Sequence, residues 1–418
     1  MSDKIKKFYE FGQHLAGDSL YRNSIFLMLS TAVMAIFGFF FWMICAHLYS
    51  ASQVGIATTL ISVMGLISSF SILGLGNSLI KYLPASDKKT EKINTSFAIV
   101  GLASIMISLF FIVFLNFFSP KLLFVRENIF FAISFVILVV FYSFNTLIES
   151  IFISYRSTIY ILIKNAVASA VKLVFPLIFV AIGSYGIFIS FGLATSLAFV
   201  IGAAFLILNF SHTFMPAVDK KSLQKMIRFS LGNYAGNFIG NLPAMALPLL
   251  ITNSIGANFA AYFYMDMMIA NLLFIIPSAT TQSLFAEGSL DGAALKSQFK
   301  KTFAITFYLL TPAILATLFL GKYFLFFFGK DYSGEGILLL QMLTVSAIFL
   351  SINYAANVIF CIKHRIKMLI LVNLFGASLI LALSALLMRH DLIGIGIAWL
   401  LGQAAISAIS LPLIKKLL

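Results

Sequence analysis

Four ionisable side chains, Glu149, Lys164, Lys172 and Asp266, lie inside long apolar segments of this 418-residue chain. A charge in hydrocarbon is costly, so each must either find a partner or face a polar cavity, and each is a candidate functional residue. Asn233, Asn237 and Asn241 add an amide ladder at four-residue spacing, flanked by Gly232, Gly236 and Gly240. Residues four apart share one helix face. Such a ladder can hydrogen-bond a neighbouring helix, with the glycines allowing close approach, or it can face a cavity and bond a polar ligand. Asn353 and Asn357 repeat the spacing and the same two readings.

Depth separates the four charges. Glu149 lies about four residues from one end of its segment, and Lys164 about six residues into the next, so the two stand at similar levels on consecutive helices. An ion pair is the expected arrangement; it need not stabilise the fold, but removing one partner strands the other. Lys172 lies about fourteen residues in, roughly 21 Å from the same end and near the bilayer middle. Three arrangements are open for it: contact with Asp266, burial as a neutral amine, or a water-filled cavity in which it meets an anion. In the last case a lysine acts as a point charge towards phosphate. His47 reads as an interfacial polar residue.

The segments that carry these residues number twelve, at about 24–48, 54–79, 94–118, 129–153, 158–182, 186–210, 229–252, 260–285, 302–320, 336–360, 368–388 and 392–413. Hydrophobic residues make up 61% of the chain and mean hydropathy is +1.04, which excludes a water-soluble domain. Each segment has about the length needed to cross a bilayer. Each must be a helix, because lipid offers the backbone no hydrogen-bond partners. Of 28 Lys and Arg residues, 26 fall in the polar gaps, 21 of them in alternate gaps and at the termini against 5 in the others. Basic residues mark the cytoplasmic side, so both termini are expected there. Tyr49, Tyr82, Tyr155 and Tyr332 fall at segment ends, where an aromatic belt belongs.

Several function classes drop out. The net charge of +14 is spread over many short gaps rather than gathered in an arm or stripe, so nucleic acid is not an expected partner. Anionic headgroups account for the distribution, and membrane lipids are expected contacts. Residues 1–23 do not read as a cleavable signal, since the apolar stretch that follows is too long. Cys45 and Cys361 suggest neither a disulfide nor a metal site. No paired catalytic carboxylates share an external surface, no phosphate-binding Gly-Lys-Ser/Thr loop is present, and no gap could house a folded domain. An enzyme is not expected, and no cofactor is implied.

The chain also repeats itself. Tyr155-Arg156-Ser157-Thr158 parallels His364-Arg365-Ile366-Lys367, and Gly183-Ser184-Tyr185-Gly186-Ile187 parallels Asp391-Leu392-Ile393-Gly394-Ile395, both about 208 positions apart. Arg22 and Arg228 open the first and seventh segments. The expectation is an all-α polytopic membrane protein of two pseudo-symmetric six-helix bundles, residues 1–213 and 214–418. Transporters built this way place the site between the halves and move by rocking them. Pro243, Pro248 and Pro277 are expected to kink their helices, whether for motion or statically.

The stretch Ser71-Ile72-Leu73-Gly74-Leu75-Gly76-Asn77-Ser78-Leu79-Ile80-Lys81-Tyr82-Leu83-Pro84 resembles the "LGLGxALxRYLP" signature of polysaccharide-export flippases. These belong to the multidrug/oligosaccharidyl-lipid/polysaccharide (MOP) exporter superfamily. Gly232 to Asn237, Leu284 to Ser289 and Gly329-Lys330-Asp331-Tyr332-Ser333 are similar to later parts of the same family. The resemblance implies the fold, a place in the cytoplasmic membrane and a polyprenyl-linked oligosaccharide as cargo, moved by alternating access, with other glycan-assembly membrane proteins as possible partners. On that reading Lys172, Lys164 and Asp266 with Asn233, Asn237 and Asn241 are the candidate substrate contacts. Arg22, Lys81, Arg156 and Arg228 form a cytoplasmic vestibule or anchor to headgroups. The alternative within the superfamily is a drug or organic-cation antiporter, and a coupling ion, H+ or Na+, is left open.

Overall fold

The computed structural model describes residues 19–215, 220–290 and 295–418, and every regular element among them is helical. The long helices are α1 (Ser19–Leu48), α2 (Ala51–Ile72), α3 (Lys89–Val113), α4 (Ile129–Ser154), α5 (Ile159–Lys172), α6 (Ser184–Phe210), α7 (Lys220–Ser254), α8 (Ala257–Leu290), α9 (Leu295–Phe326), α10 (Ile337–Ile362), α11 (Ile366–Leu387) and α12 (Asp391–Leu417). Eleven stretches among the described residues are long and apolar enough to span a membrane, the last being Ile366–Leu417 at 52 residues. At about 1.5 Å per residue that stretch would run roughly 78 Å, far beyond one crossing. A 3-10 turn at Met388–His390 divides it into α11 and α12, which gives twelve spanning helices.

Three of the expected segments are not single helices, the third being broken at Phe114 before a one-turn helix Leu115–Phe118. The second is interrupted at Leu73 and Gly74, both at positive φ, before a short helix Leu75–Tyr82. The fifth stops being α-helical at Lys172. Pro176 has no N–H to offer the carbonyl of Lys172 four residues earlier. The chain tightens there into three-residue bonds, from Leu173 N to Ala170 O (3.3 Å) and from Val174 N to Val171 O (3.1 Å). A short helix Phe175–Ile178 and a 3-10 turn Val180–Ile182 complete the segment. Pro243, Pro248 and Pro277, in contrast, sit inside helices that continue through them.

The chain divides into two compact units: Met1–Leu48, Ile67–Phe118 and Leu122–Leu231 form the first, and Tyr49–Leu66, Ser119–Lys121 and Gly232–Leu418 the second. The first part of α2 therefore packs within the second unit, where the Thr59 hydroxyl donates to the carbonyl of Pro248 (3.3 Å). In the first unit Asn23 of α1 accepts from the backbone N–H of Thr158 at the entry to α5 (3.0 Å), and Asn128 caps α4 by accepting from Phe130 N (2.9 Å).

The repeat is written in the backbone. Positions 208 apart are used as equivalents from here on, with 206 for the first helix of each set. Arg156 (φ 53) matches His364 (φ 55) after α4 and α10. Ser157 N bonds Phe152 O, and Arg365 N bonds Phe360 O. Gly183 (φ 65, ψ −137) matches Asp391 (φ 51, ψ −140), each following a three-residue 3-10 turn and opening a 27-residue stretch of helix. At Gly186 a Cβ would collide with the carbonyl of Phe179, and at Gly394 with that of Leu387, so each turn demands glycine at the same place. The packed cores correspond as well. Ile151, Phe152, Ile161 and Leu206 of the first unit match Ile359, Phe360, Leu369 and Ile414 of the second, all buried.

Outside these cores, large apolar side chains face outward, among them Phe117, Phe130, Tyr308 and Phe319. In a water-soluble protein such a surface would be an aggregation liability. In lipid it is the required exterior.

Candidate functional site

In the first unit, the expected Lys164–Glu149 pair forms, with Nζ 2.8 Å from Oε1. Lys164 is fully buried, and its ammonium also donates to Asn145 Oδ1 (2.8 Å) and Asn165 Oδ1 (2.9 Å). All three N–H donors of the lysine are thus engaged. Asn165 in turn donates to Glu149 Oε1 (3.1 Å) and Ser30 Oγ (3.1 Å), so the cluster ties α1, α4 and α5 together. On α6, Gly202 lies against the lysine stem; a Cβ there would stand 3.2 Å from Lys164 Cδ. A charge this well enclosed is structural in this conformation, although 32% of the Glu149 side chain remains exposed.

Lys172 stands differently. It is half-buried at the last residue of α5, where the free carbonyls of the helix end favour a cation. Its ammonium lies over the rings of Phe41 (4.9 Å) and Phe191 (5.4 Å). Cation–π contacts of this kind partly replace lost hydration. Among the described residues the ion pairs are Lys88–Glu91 and Lys164–Glu149, so Lys172 belongs to none. Asp266 is fully buried, and neither carboxylate oxygen has a hydrogen-bond partner among the described residues. It lies against Gly336 at the start of α10, where a Cβ would come within 2.7 Å of Oδ1.

The second unit holds a cavity of about 400 Å³. Its polar lining is Asn241, Asn271, Ser278, Thr281, Gln282, Asn353, Tyr354, Asn357, Asn373, Trp399 and Gln403. Among the described residues, no acidic or basic side chain lines it. Some of these groups hold one another: Asn353 Nδ2 donates to Gln403 Oε1 (2.8 Å), and Asn353 Oδ1 accepts from Ser407 (2.8 Å). Asn373 Nδ2 donates to the Gly236 carbonyl (3.1 Å) and reaches Asn357 Oδ1 at 3.4 Å. Of the asparagine stripe on α7, Asn241 lines the cavity, while the side chains of Asn233 and Asn237 lie outside the described residues. The glycine stripe does what small residues do at helix contacts: Gly236 abuts Leu369, and Gly240 abuts Asn373.

Of the four basic residues assigned to a vestibule, Arg22, Lys81 and Arg156 are exposed, and the Arg228 side chain lies outside the described residues. His47 bonds its own helix through Met43 O (2.8 Å). No group of three or more His, Cys, Asp or Glu residues among those described could hold a metal ion.

A family model described as "Polysaccharide biosynthesis protein" matches residues 20–286. The chain belongs to that family. Solved structures give the fold of this polysaccharide biosynthesis protein. It is similar to an inward-facing multidrug resistance MATE family transporter of the MOP superfamily, with 15% identity, TM-score 0.68, and coverage of 93% of this chain and 98% of the other. An outward-facing MATE transporter aligns at 15% identity and TM-score 0.62, covering 95% of each chain. A MOP superfamily transporter from Pyrococcus furiosus, described by a reverse polarity of its binding pocket that suggests a different function, aligns at 16% identity and TM-score 0.65, covering 97% and 98%. No curated protein matches. The chain is thus a member of the polysaccharide biosynthesis protein family that shares its fold with these solved transporters.

Sequence reading of this family member picked out Asn241, Asn353 and Asn357 but passed over Asn271, Asn373, Gln282 and Gln403. Their signal was available, since each is an amide within an otherwise apolar span. It also passed over Asn145 and Asn165, which complete the shell around Lys164.

Proposed function

We propose that this transporter moves a polyprenyl-(pyro)phosphate-linked oligosaccharide across the cytoplasmic membrane by alternating access, for cell-surface polysaccharide assembly. The observation that carries the reading is the Lys172 ammonium, half-buried against two phenylalanine rings and outside any ion pair among the described residues. A lipid phosphate cannot enter hydrocarbon bare, whereas its prenyl tail can remain in lipid. A fixed cation near the middle of the span lowers the barrier for the phosphate. An organic cation needs the opposite polarity. The acids inside the spans serve that need poorly, since Asp266 is fully enclosed and Glu149 is committed to Lys164. A pocket of reversed polarity is also the ground on which a different function was suggested for the Pyrococcus furiosus relative.

The test is reconstitution in liposomes with two cargoes: a fluorescent polyprenyl-pyrophosphate-linked oligosaccharide and ethidium. Protein-dependent movement of the first, and none of the second, is expected. Movement of ethidium alone would establish the antiporter reading instead.

A further inference from the structure

We propose that the amide-lined cavity of the second unit is a binding site for an uncharged sugar ring of the cargo; this rests on the flippase reading above. The repeat makes the argument. In the first unit, Asn145, Glu149 and Asn165 surround the Lys164 ammonium. Their equivalents 208 positions on are Asn353, Asn357 and Asn373, and all three line the cavity. Lys164 itself is replaced by Val372. The second unit has kept the shell of polar groups and lost the cation they enclosed.

The bonding pattern is kept too. Asn165 donates to Glu149 and Ser30, and Asn373 donates to Asn357 and to Gly236, the equivalents of both. What changes is the charge and the filling. At 3.4 Å the Asn373–Asn357 contact is longer than the usual N–H···O range of about 2.7–3.2 Å, so it yields readily to a ligand. Each amide offers separate donors and an acceptor, which matches a sugar hydroxyl that must both give and accept. Among the described lining residues a phosphate or carboxylate would find no cation, and an ammonium no acid, so either would be desolvated without compensation. The Trp399 ring stands at the position of Phe191 in the first unit. Its indole N–H donates to Ser346 (3.2 Å), which fixes a large, mostly apolar ring among the residues that line the cavity. The volume of about 400 Å³ lies within the roughly 300–1,000 Å³ of small-molecule sites.

The experiment refills the cavity and looks for sugar inside it. The triple variant Asn357→Glu, Val372→Lys, Ser410→Gly copies into the second unit the pair of the first, including the glycine that gives the lysine stem its room at Gly202. Export of the polysaccharide is expected to fall at least tenfold at wild-type protein level and melting temperature. Should the triple variant misfold, a second measurement stands by itself. A photoreactive benzoylphenylalanine is placed at Tyr354 in the cavity, at Phe191 beside Lys172, or at lipid-facing Phe319, in cells fed tritiated sugars. Sugar label crosslinked at 354 and not at 319 is expected. Label at 191 without label at 354 would overturn the sugar site while leaving the flippase reading intact. Absence of label from both 354 and 191 would overturn the flippase reading together with it.

Discussion

The two units carry one helical plan and two different polar interiors. At the Lys164 level, the first unit has a lysine, a glutamate and two asparagines closed on one another, while the second has three asparagines around a void. Eight positions along, the first unit has Lys172 over two aromatic rings and the second has Ile380 on the cavity wall. A duplicated scaffold keeps its turns and packed core, because backbone geometry and volume admit few alternatives. Its interior polar groups are freer to diverge, provided each set remains satisfied. Here the divergence separates a charged cluster from its neutral counterpart. A cargo with an anionic linkage and a hydroxyl-rich glycan needs both kinds of surface.

The comparison can be broken in several ways. The largest effect is expected at Lys172: Lys172→Ala should abolish polysaccharide export in cells at unchanged protein level, and Lys172→Arg should retain part of it. Next, Lys164→Met should destabilise the first unit by about 3–5 kcal/mol, because Glu149 keeps a charge in a shell built for its partner. Adding Glu149→Gln should recover most of that loss in thermal unfolding of the purified protein. Removing the counterpart of Glu149 in the second unit, Asn357→Ala, should cost only about 1–3 kcal/mol, since no charge is stranded. Equal costs in the two units would remove the contrast.

The smallest effect concerns His212, just beyond α6. It is buried against Phe214, shares a 3.0 Å bond with Asn94, and burial holds its imidazole below the ordinary value of 6.5. The unfolded chain therefore binds a proton before the folded one does. Stability should be flat above about pH 6.5 and fall as pH drops below it. His212→Gln should flatten that slope in melting temperatures measured against pH.

Much of this was legible in the sequence. Spans of about 20–25 apolar residues announce helices in lipid, and depth alone paired Glu149 with Lys164. The loop landmarks spaced by 208 positions returned as matching φ values at Arg156 and His364, and at Gly183 and Asp391. The breaks were harder to see. Leu73–Gly74 and Lys172 interrupt stretches whose hydropathy never falters, although Pro176 marks the second break to a reader who asks which carbonyl it deprives. The cavity was harder still. Whether Asn373 meets Asn357 or faces lipid depends on the rotation of α11 against α10, which spacing along one helix does not define. The repeat contained that information, because carrying the 208 offset from the loops into the spans aligns Asn165 with Asn373 and Glu149 with Asn357.

The central claim, that the first unit meets its cargo through a positive charge, is tested most directly by affinity. Binding of a fluorescent polyprenyl pyrophosphate, without sugar, should be compared for the purified wild type and Lys172→Ala at matched salt. A hydrogen bond to a charged group is worth about 1.5–3 kcal/mol, so the alanine variant should bind roughly ten- to a hundredfold more weakly. Equal affinity in the two proteins would contradict the account.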